Sequence, residues 1–219
     1  VSRADRNSEQ AIVAELQKAR PDYGFLLEES GEIKGKNEHF RWIIDPLDGT
    51  TNFLHGIPHF AISIALEQDK DIVAGVVYDP IKDELFWAEK GGGAFLNNKR
   101  LRVSGRKEMD TALVGTGIPF AIFGNKEKFL RQLEKIMPYV AGVRRMGAAS
   151  LDLAYVASGR FDVYFESGCS AWDYAAGIIL VREAGGFISD LAGQQTMLQS
   201  GDVLASNHFM HGPFLKLLS

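Results

Sequence analysis

Apolar positions recur along this chain at two different spacings, and the spacing changes repeatedly between its two ends. From Asn7 to Arg20, Ile12, Val13 and Leu16 keep a helical interval, and Pro21 ends the run. FRWIID (40–45) reads as a strand, and Pro46 holds Asp45 outside the helical region. FAISIALE and IVAGVVYD, on either side of a polar turn at Asp69–Asp71, predict a hairpin. ELFWAEKGGGAFLNNKRLRV adds two short strands, broken at Gly91–Gly93 and at Asn97–Asn98. ALVGTG (112–117) is another strand, and Phe129, Leu130, Leu133 and Ile136 predict a helix from Lys126 to Met137. Then come a strand near Ala141–Arg145, a helix in ASLDLAYVAS, a strand in FDVYFE, and a helix in YAAGIILVREA stopped by Gly185-Gly186. FISD, VLAS and a helix near Phe209–Leu218 complete the pattern. It describes a mixed α/β protein, antiparallel-rich in its first half and alternating in its second.

Composition narrows this little. The 219 residues are 46% hydrophobic, with 24 Lys+Arg against 28 Asp+Glu and a net charge of −4. That excludes disordered, collagen-like and disulfide-stapled chains, and it argues against a general nucleic-acid coat, which needs clustered cations. The lone Cys169 has no disulfide partner within the chain, so a reducing cytoplasm is the expected compartment. No apolar run approaches the roughly 18 residues of a membrane span, and the first residues do not read as a signal peptide. The length suits a single domain over residues 1–219, built of two packed lobes near 1–118 and 119–219.

The familiar phosphate loop, zinc helix, paired CxxC and strand-coupled GxGxxG are all absent. What remains is acidic. Asp45-Pro46-Leu47-Asp48-Gly49-Thr50-Thr51 follows a strand and holds two carboxylates within four residues. Gly49 permits a backbone that bulkier residues resist, and Thr50 and Thr51 can open a helical turn whose free N–H groups attract phosphate. A plain β-turn followed by a helix cap accounts for the same residues about equally well. Glu28 stands at a strand end, Asp173 beside a helix start and Asp5 near another, and each of the last two reads as an N-cap on local grounds. If these carboxylates converge, pairs about 4 Å apart repel by roughly 4 kcal/mol at an effective dielectric near 20. Divalent cations relieve that repulsion, and all-oxygen ligation selects magnesium, calcium or manganese over zinc.

WIIDPLDGTTNF (42–53) and WDYAAGIILVREAGG (172–186) closely resemble the two signature motifs of the inositol monophosphatase family. VSRADRNSE, EESG at 28–31 and GAASLDLAYVASGRFDVYFE at 147–166 extend the resemblance over nearly the whole chain. It implies a layered αβαβα sandwich of the sugar-phosphatase type, a homodimer, and magnesium-dependent hydrolysis of a phosphate monoester. It implies that Glu28, Asp45 and the Leu47 carbonyl ligate one magnesium, while Asp45, Asp48 and Asp173 hold a second. It implies further a third ion near Glu28 with Asp5 steadying its waters, Thr50 and Glu28 as the groups that activate the attacking water, and Gly49 and Thr50 N–H groups as the phosphate cradle. By the same resemblance, Ala149, Glu166, Asp48 and Asp173 are expected to meet the polyol hydroxyls. The family's first helical segment is expected to be missing, and the short stretch after Glu28, including Lys34–Lys36, to be a mobile hairpin.

Fructose-1,6-bisphosphatase, histidinol-phosphatase and nucleotide 3′-phosphatase activities are rivals that share DPxDGT, but Glu166 favours a polyol because carboxylates accept from ring hydroxyls. The resemblance also allows a regulatory protein that associates with RNA and transcription machinery, although the net charge gives no broad footprint for nucleic acid. Lys99, Arg100, Arg102, Arg106 and Lys107 form the best basic stretch and read as a solvated turn. Trp42, Phe86 and Trp87 read as sheet packing, His55 and His59 as loop or surface residues, and Arg144-Arg145 as indirect support for the dimer or site. Cys169 reads as a small, partly buried neighbour of Asp173.

Overall fold

In the computed structural model, which describes residues 2–120 and 125–219, a capped helix α1 (Arg3–Ala19) leads into β1 (Tyr23–Leu27), β2 (Gly31–Ile33) and the long β3 (Asn37–Asp48). A single turn and a half of helix, α2 (Thr50–Leu54), precedes β4 (Ala61–Gln68), β5 (Asp71–Asp79), β6 (Glu84–Glu89), β7 (Gly93–Leu96) and β8 (Lys99–Arg100). The second half holds β9 (Leu113–Thr116), α3 (Lys126–Ile136), β10 (Gly142–Arg144), α4 (Ala149–Ala157), β11 (Val163–Glu166) and α5 (Ala171–Glu183). It ends with β12 (Phe187–Ser189), α6 (Met197–Ser200), β13 (Val203–Ser206) and α7 (His211–Leu218).

The strands form two sheets, ordered β2-β1-β3-β4-β5-β6-β7-β8 and β10-β9-β11-β13-β12. The first is antiparallel except where β1 runs parallel to β3. In the second, β9 is parallel to β10 and β11, and β13 is antiparallel to β11 and β12.

Alternation along the strands sorts their side chains into layers. Tyr164 of β11 enters a central cluster with α4 and α5, whereas Val163 and Phe165 face Phe129 and Ile136 of α3 and Phe214 and Leu218 of α7. In the first sheet, Ile43 joins the central cluster, while Phe25, Leu27 and Ile44 pack on Ile12, Val13 and Leu16 of α1. The order is therefore α1, first sheet, α4 with α5, second sheet, α3 with α7. This is the five-layer αβαβα sandwich.

The central helices are apolar almost all round, as a doubly covered layer requires. Ser150–Ala157 and Tyr174–Val181 are buried without interruption. Two glycines let these layers close. A Cβ at Gly75 would stand 2.6 Å from Ile179 Cγ2, and one at Gly177 would stand 2.6 Å from Leu153 Cβ. Both contacts fix α5, and with it the position of Asp173.

Several expectations change. The first helix begins at Arg3, four residues early, because Ser2 caps it and Asp5 reciprocates from the third helical position. Asp5 is therefore not the N-cap. Asp173 stands likewise third in α5, with Ser170 as its cap. β3 runs through Pro46 rather than ending before it. Asp45 pairs with Ser63 and Asp48 with Ala61, three steps along β3 against two along β4, so Pro46 sits in a bulge where its missing N–H costs no ladder bond. Gly31–Ile33 pairs with β1 as a short edge strand, and α6 is an unforeseen turn of helix. His59 lies in the loop between α2 and β4, as expected, but it is buried there, with its ring edge-on to Tyr155 at 6.0 Å. Trp87 stacks on Phe95 at 4.5 Å and Phe86 is fully buried, in line with their reading as packing residues.

Candidate active site

The parallel β1–β3 pair sets the first contact of the site. Leu27 lies beside Ile44, and the Glu28 N–H donates to the Ile44 carbonyl at 3.2 Å, so Glu28 and Asp45 follow side by side where the pairing of β1 with β3 ends. The bulge then carries the chain through Leu47 and Asp48 into Gly49. Gly49 sits at φ 93°, left-handed backbone that favours glycine, and its carbonyl accepts from Phe53 N–H at 3.0 Å to begin α2. Inside the turn, Leu47 N–H donates to Asp45 Oδ1 at 2.9 Å.

α1 braces this turn from outside. Ser8 Oγ donates to the Pro46 carbonyl at 3.0 Å. Glu9 accepts the Glu29 N–H at 3.0 Å and the Ser30 hydroxyl, which ties down the turn just after Glu28. The Thr50 hydroxyl lies 3.0 Å from both Asp5 Oδ1 and the Leu47 carbonyl. From the central layer, α4 presents Ser150, whose N–H (2.7 Å) and hydroxyl both donate to Asp48 Oδ2. α5 supplies Asp173, whose Oδ2 accepts the Ser170 N–H at 2.7 Å. Glu166 ends β11 and accepts the Tyr164 hydroxyl.

The electrostatics follow from crowding in a dry place. Burial, then the charges of Asp48 and Glu28, raise Asp45 well above the carboxylate range; the Glu28 carboxyl hydrogen-bonds it, and Asp173 adds to the rise. Burial raises Glu28 too, against the opposing hydrogen bond from Asp45. Asp48 is pushed up to about 7 by burial, against the lowering effect of the Ser150 hydrogen bonds. Asp173 rises well above its range through burial and Asp48. Glu166 rises through burial, opposed by hydrogen bonds from Tyr164 and Cys169. Asp5 alone falls, because its hydrogen bonds from Ser2 and Thr50 outweigh its burial.

Among the described residues, none of Glu28, Asp45, Asp48 and Asp173 has a Lys or Arg ion-pair partner. Glu28 Oε2 is buried and without any partner. Acidic groups packed this way suit hard divalent cations, which replace shared protons as the source of positive charge. Among the described residues no three His, Cys, Asp or Glu side chains already close into a metal cage. An open set of oxygens still fits magnesium, which keeps waters and takes few protein ligands. Burial and the Glu166 charge push the Cys169 thiol well above its usual range, so it is no thiolate nucleophile.

Glu28, Asp45, Asp48, Glu166 and Asp173 are thus linked by mutual charge, Asp5 bonds Thr50, and Ala149 opens α4 next to Ser150. Sequence reasoning missed Ser8, Glu9, Asn52, Ser150 and Asp152. Asp5, Ser8, Glu9 and Ile12 fall on one helical face at i, i+3, i+4 and i+7, so polar groups share the buried stripe of α1, and that signal was available. Asp152 is buried in α4 with Oδ1 unpartnered; burial raises it well above its range, as do Asp48 and Glu166, against the charge of Arg145. Arg144 and Arg145 are both exposed, and the charge of Arg145 acts on Glu166.

The model of the inositol monophosphatase family matches residues 1–218 of this chain. Inositol-1-monophosphatase of Mesorhizobium japonicum is 56% identical over 216 residues, covering 99% of this chain and 81% of its own. The Nus factor SuhB of Pseudomonas aeruginosa is 50% identical over 211 residues, covering 94% of this chain and 78% of its own. The crystal structure of the extragenic suppressor protein SuhB from Bartonella henselae superposes with a TM-score of 0.97 at 50% identity, over all of this chain and 84% of that one.

Proposed function

The chain belongs to the inositol monophosphatase family, and from that premise we propose that it hydrolyses inositol 1-phosphate to inositol and phosphate with magnesium as cofactor. The observation that carries this reading is the set of four facing carboxylates, Glu28, Asp45, Asp48 and Asp173, without a single cationic side chain paired to them among the described residues. Glu28, Asp45 and the Leu47 carbonyl would hold one ion, and Asp45, Asp48 and Asp173 a second, with a third near Glu28 and Asp5. Bound magnesium supplies a polarised water and positive charge for the departing oxygen.

The protein's own groups then have distinct tasks. Glu28 and Thr50 orient the attacking water, and Glu28 takes its proton. Asp5 holds the Thr50 hydroxyl at 3.0 Å, which limits its rotation. The N–H groups of Gly49 and Thr50, in a first helical turn that leaves its donors free, cradle the phosphate. Ala149, through its backbone, and Glu166, Asp48 and Asp173, through their carboxylates, take the inositol hydroxyls. Ser150 fixes the Asp48 carboxylate that serves both metal and substrate.

Exposed Leu130, Met137 and Tyr139 lie on the outer helical layer and offer apolar surface for a second copy, as the homodimer reading requires. A second functional reading, association with transcription machinery, draws on the relatives named Nus factor SuhB. Phosphate release from inositol 1-phosphate, fructose 1,6-bisphosphate, histidinol phosphate and a nucleotide 3′-phosphate separates the possibilities. The account expects inositol 1-phosphate to be turned over fastest. Inactivity on all four, with salt-sensitive RNA binding, supports the regulatory reading instead.

A further inference from the structure

Three backbone segments meet around Gly49. A Cβ there would stand 3.1 Å from the His59 carbonyl, 3.2 Å from Phe60 Cβ and 3.3 Å from the Gly147 carbonyl. Segments packed this closely need a contact that holds them in place. Asn52 does so. It is 6% exposed, and its Nδ2 donates to the His59 carbonyl at 2.8 Å and to the Met146 carbonyl at 2.9 Å. Facing two carbonyls, that atom can only be the nitrogen, so both amide protons are committed. The main-chain carbonyl of Asn52 accepts the Ile57 N–H at 2.9 Å, which closes the loop that returns the chain to β4.

The two carbonyls belong to different halves of the site. Asn52 rides on α2, whose first turn carries Gly49 and Thr50. Met146 leads through Gly147, at φ 90°, into Ala149 and Ser150, the start of α4. We infer that Asn52 is a positioning residue that fixes the separation between the phosphate cradle at Gly49–Thr50 and the polyol-binding backbone at Ala149. This deepens the reading above and rests on it. The side-chain hydrogen bonds of Asn52 go to main-chain carbonyls and to none of the acidic site residues, so it acts through the loop it clamps.

The test uses full-length protein saturated with magnesium and two substrates, inositol 1-phosphate and p-nitrophenyl phosphate, which has no polyol. Asn52→Asp turns both donors into acceptors facing carbonyls. Asn52→Ser removes the reach to either carbonyl without burying a charge, and it keeps the measurement available if the aspartate variant fails to fold. The clamp predicts that KM for inositol 1-phosphate rises roughly tenfold while kcat holds within about threefold. For p-nitrophenyl phosphate, kcat/KM holds within about threefold. Unchanged kinetics on both substrates, or an equal fall on both, overturns the inference while leaving the function in place. Wild-type protein that cleaves p-nitrophenyl phosphate but not inositol 1-phosphate overturns the polyol reading itself, before any substitution is made.

Discussion

In the proposed reaction Asp45 is the side chain on which most of the chemistry would converge, since the charges of Asp48, Glu28 and Asp173 all act on it. Its replacement by Asn keeps shape and removes charge. Asp45→Asn should therefore fold, with metal-free stability equal to or up to about 1 kcal/mol above the parent, and should lose phosphatase activity by at least about a thousandfold. Thermal melts and phosphate release check the two halves, and near-parental turnover rejects the assignment. The same crowding fixes a pH dependence. These carboxyls hold protons more tightly folded than unfolded, where the value is about 3.9. Their contribution to stability is complete below that value and is lost as pH rises through the folded values, about 7 for Asp48. His59 and His211, which burial holds below the usual histidine range, act in the opposite sense only near and below about pH 6.5. Metal-free protein should thus melt lower at pH 8 than at pH 6.5, and magnesium should raise the melting temperature more at pH 8. An equal magnesium shift at both pH values contradicts the picture of ions replacing protons.

At the scale of elements, the site depends on braces as much as on ligands. Glu9 of α1 satisfies Glu29 N–H and the Ser30 hydroxyl, so Glu9→Ala should cost about 1–3 kcal/mol. It should also raise the magnesium concentration for half-maximal activity, because Glu28 loses its anchored neighbour; an unchanged magnesium requirement contradicts the brace. Gly177→Ala drives a methyl into Leu153 between α4 and α5, and urea denaturation should show a loss of about 1–3 kcal/mol. The strands and long helices were legible because their apolar periods are strong, as in AISIALEQ and in Phe129, Leu133 and Ile136. The turn itself was legible from Asp45, Gly49 and Thr50. What escaped was set by partners distant in sequence. The buried polar role of Glu9 needs Ser30, 21 residues away, and the role of Ser150 needs Asp48, 102 residues away. β3 continues past Pro46 because a bulge against β4 tolerates the missing donor, and His59 is buried because Tyr155 covers it; neither partner is visible from local sequence.

On the scale of the whole molecule, five layers bring together residues from β1, β3, α2, α4, β11 and α5, so that buried carboxylates distant in sequence act on one another's charge. The layer order follows from two-sided burial of the central helices, which their sequences announce by lacking a polar face. The charge of Asp173 reaches Asp45 only through the tertiary fold, in which the close contacts at Gly75 and Gly177 seat α5 on β5 and α4. Magnesium titration of metal-stripped protein, followed by phosphate release from inositol 1-phosphate, bears most directly on the claim that this pocket exists to hold cations for ester hydrolysis. The account predicts no turnover without magnesium, saturable turnover with it, and none at any concentration for Asp45→Asn. Turnover that persists after stripping and in the presence of excess chelator would contradict it.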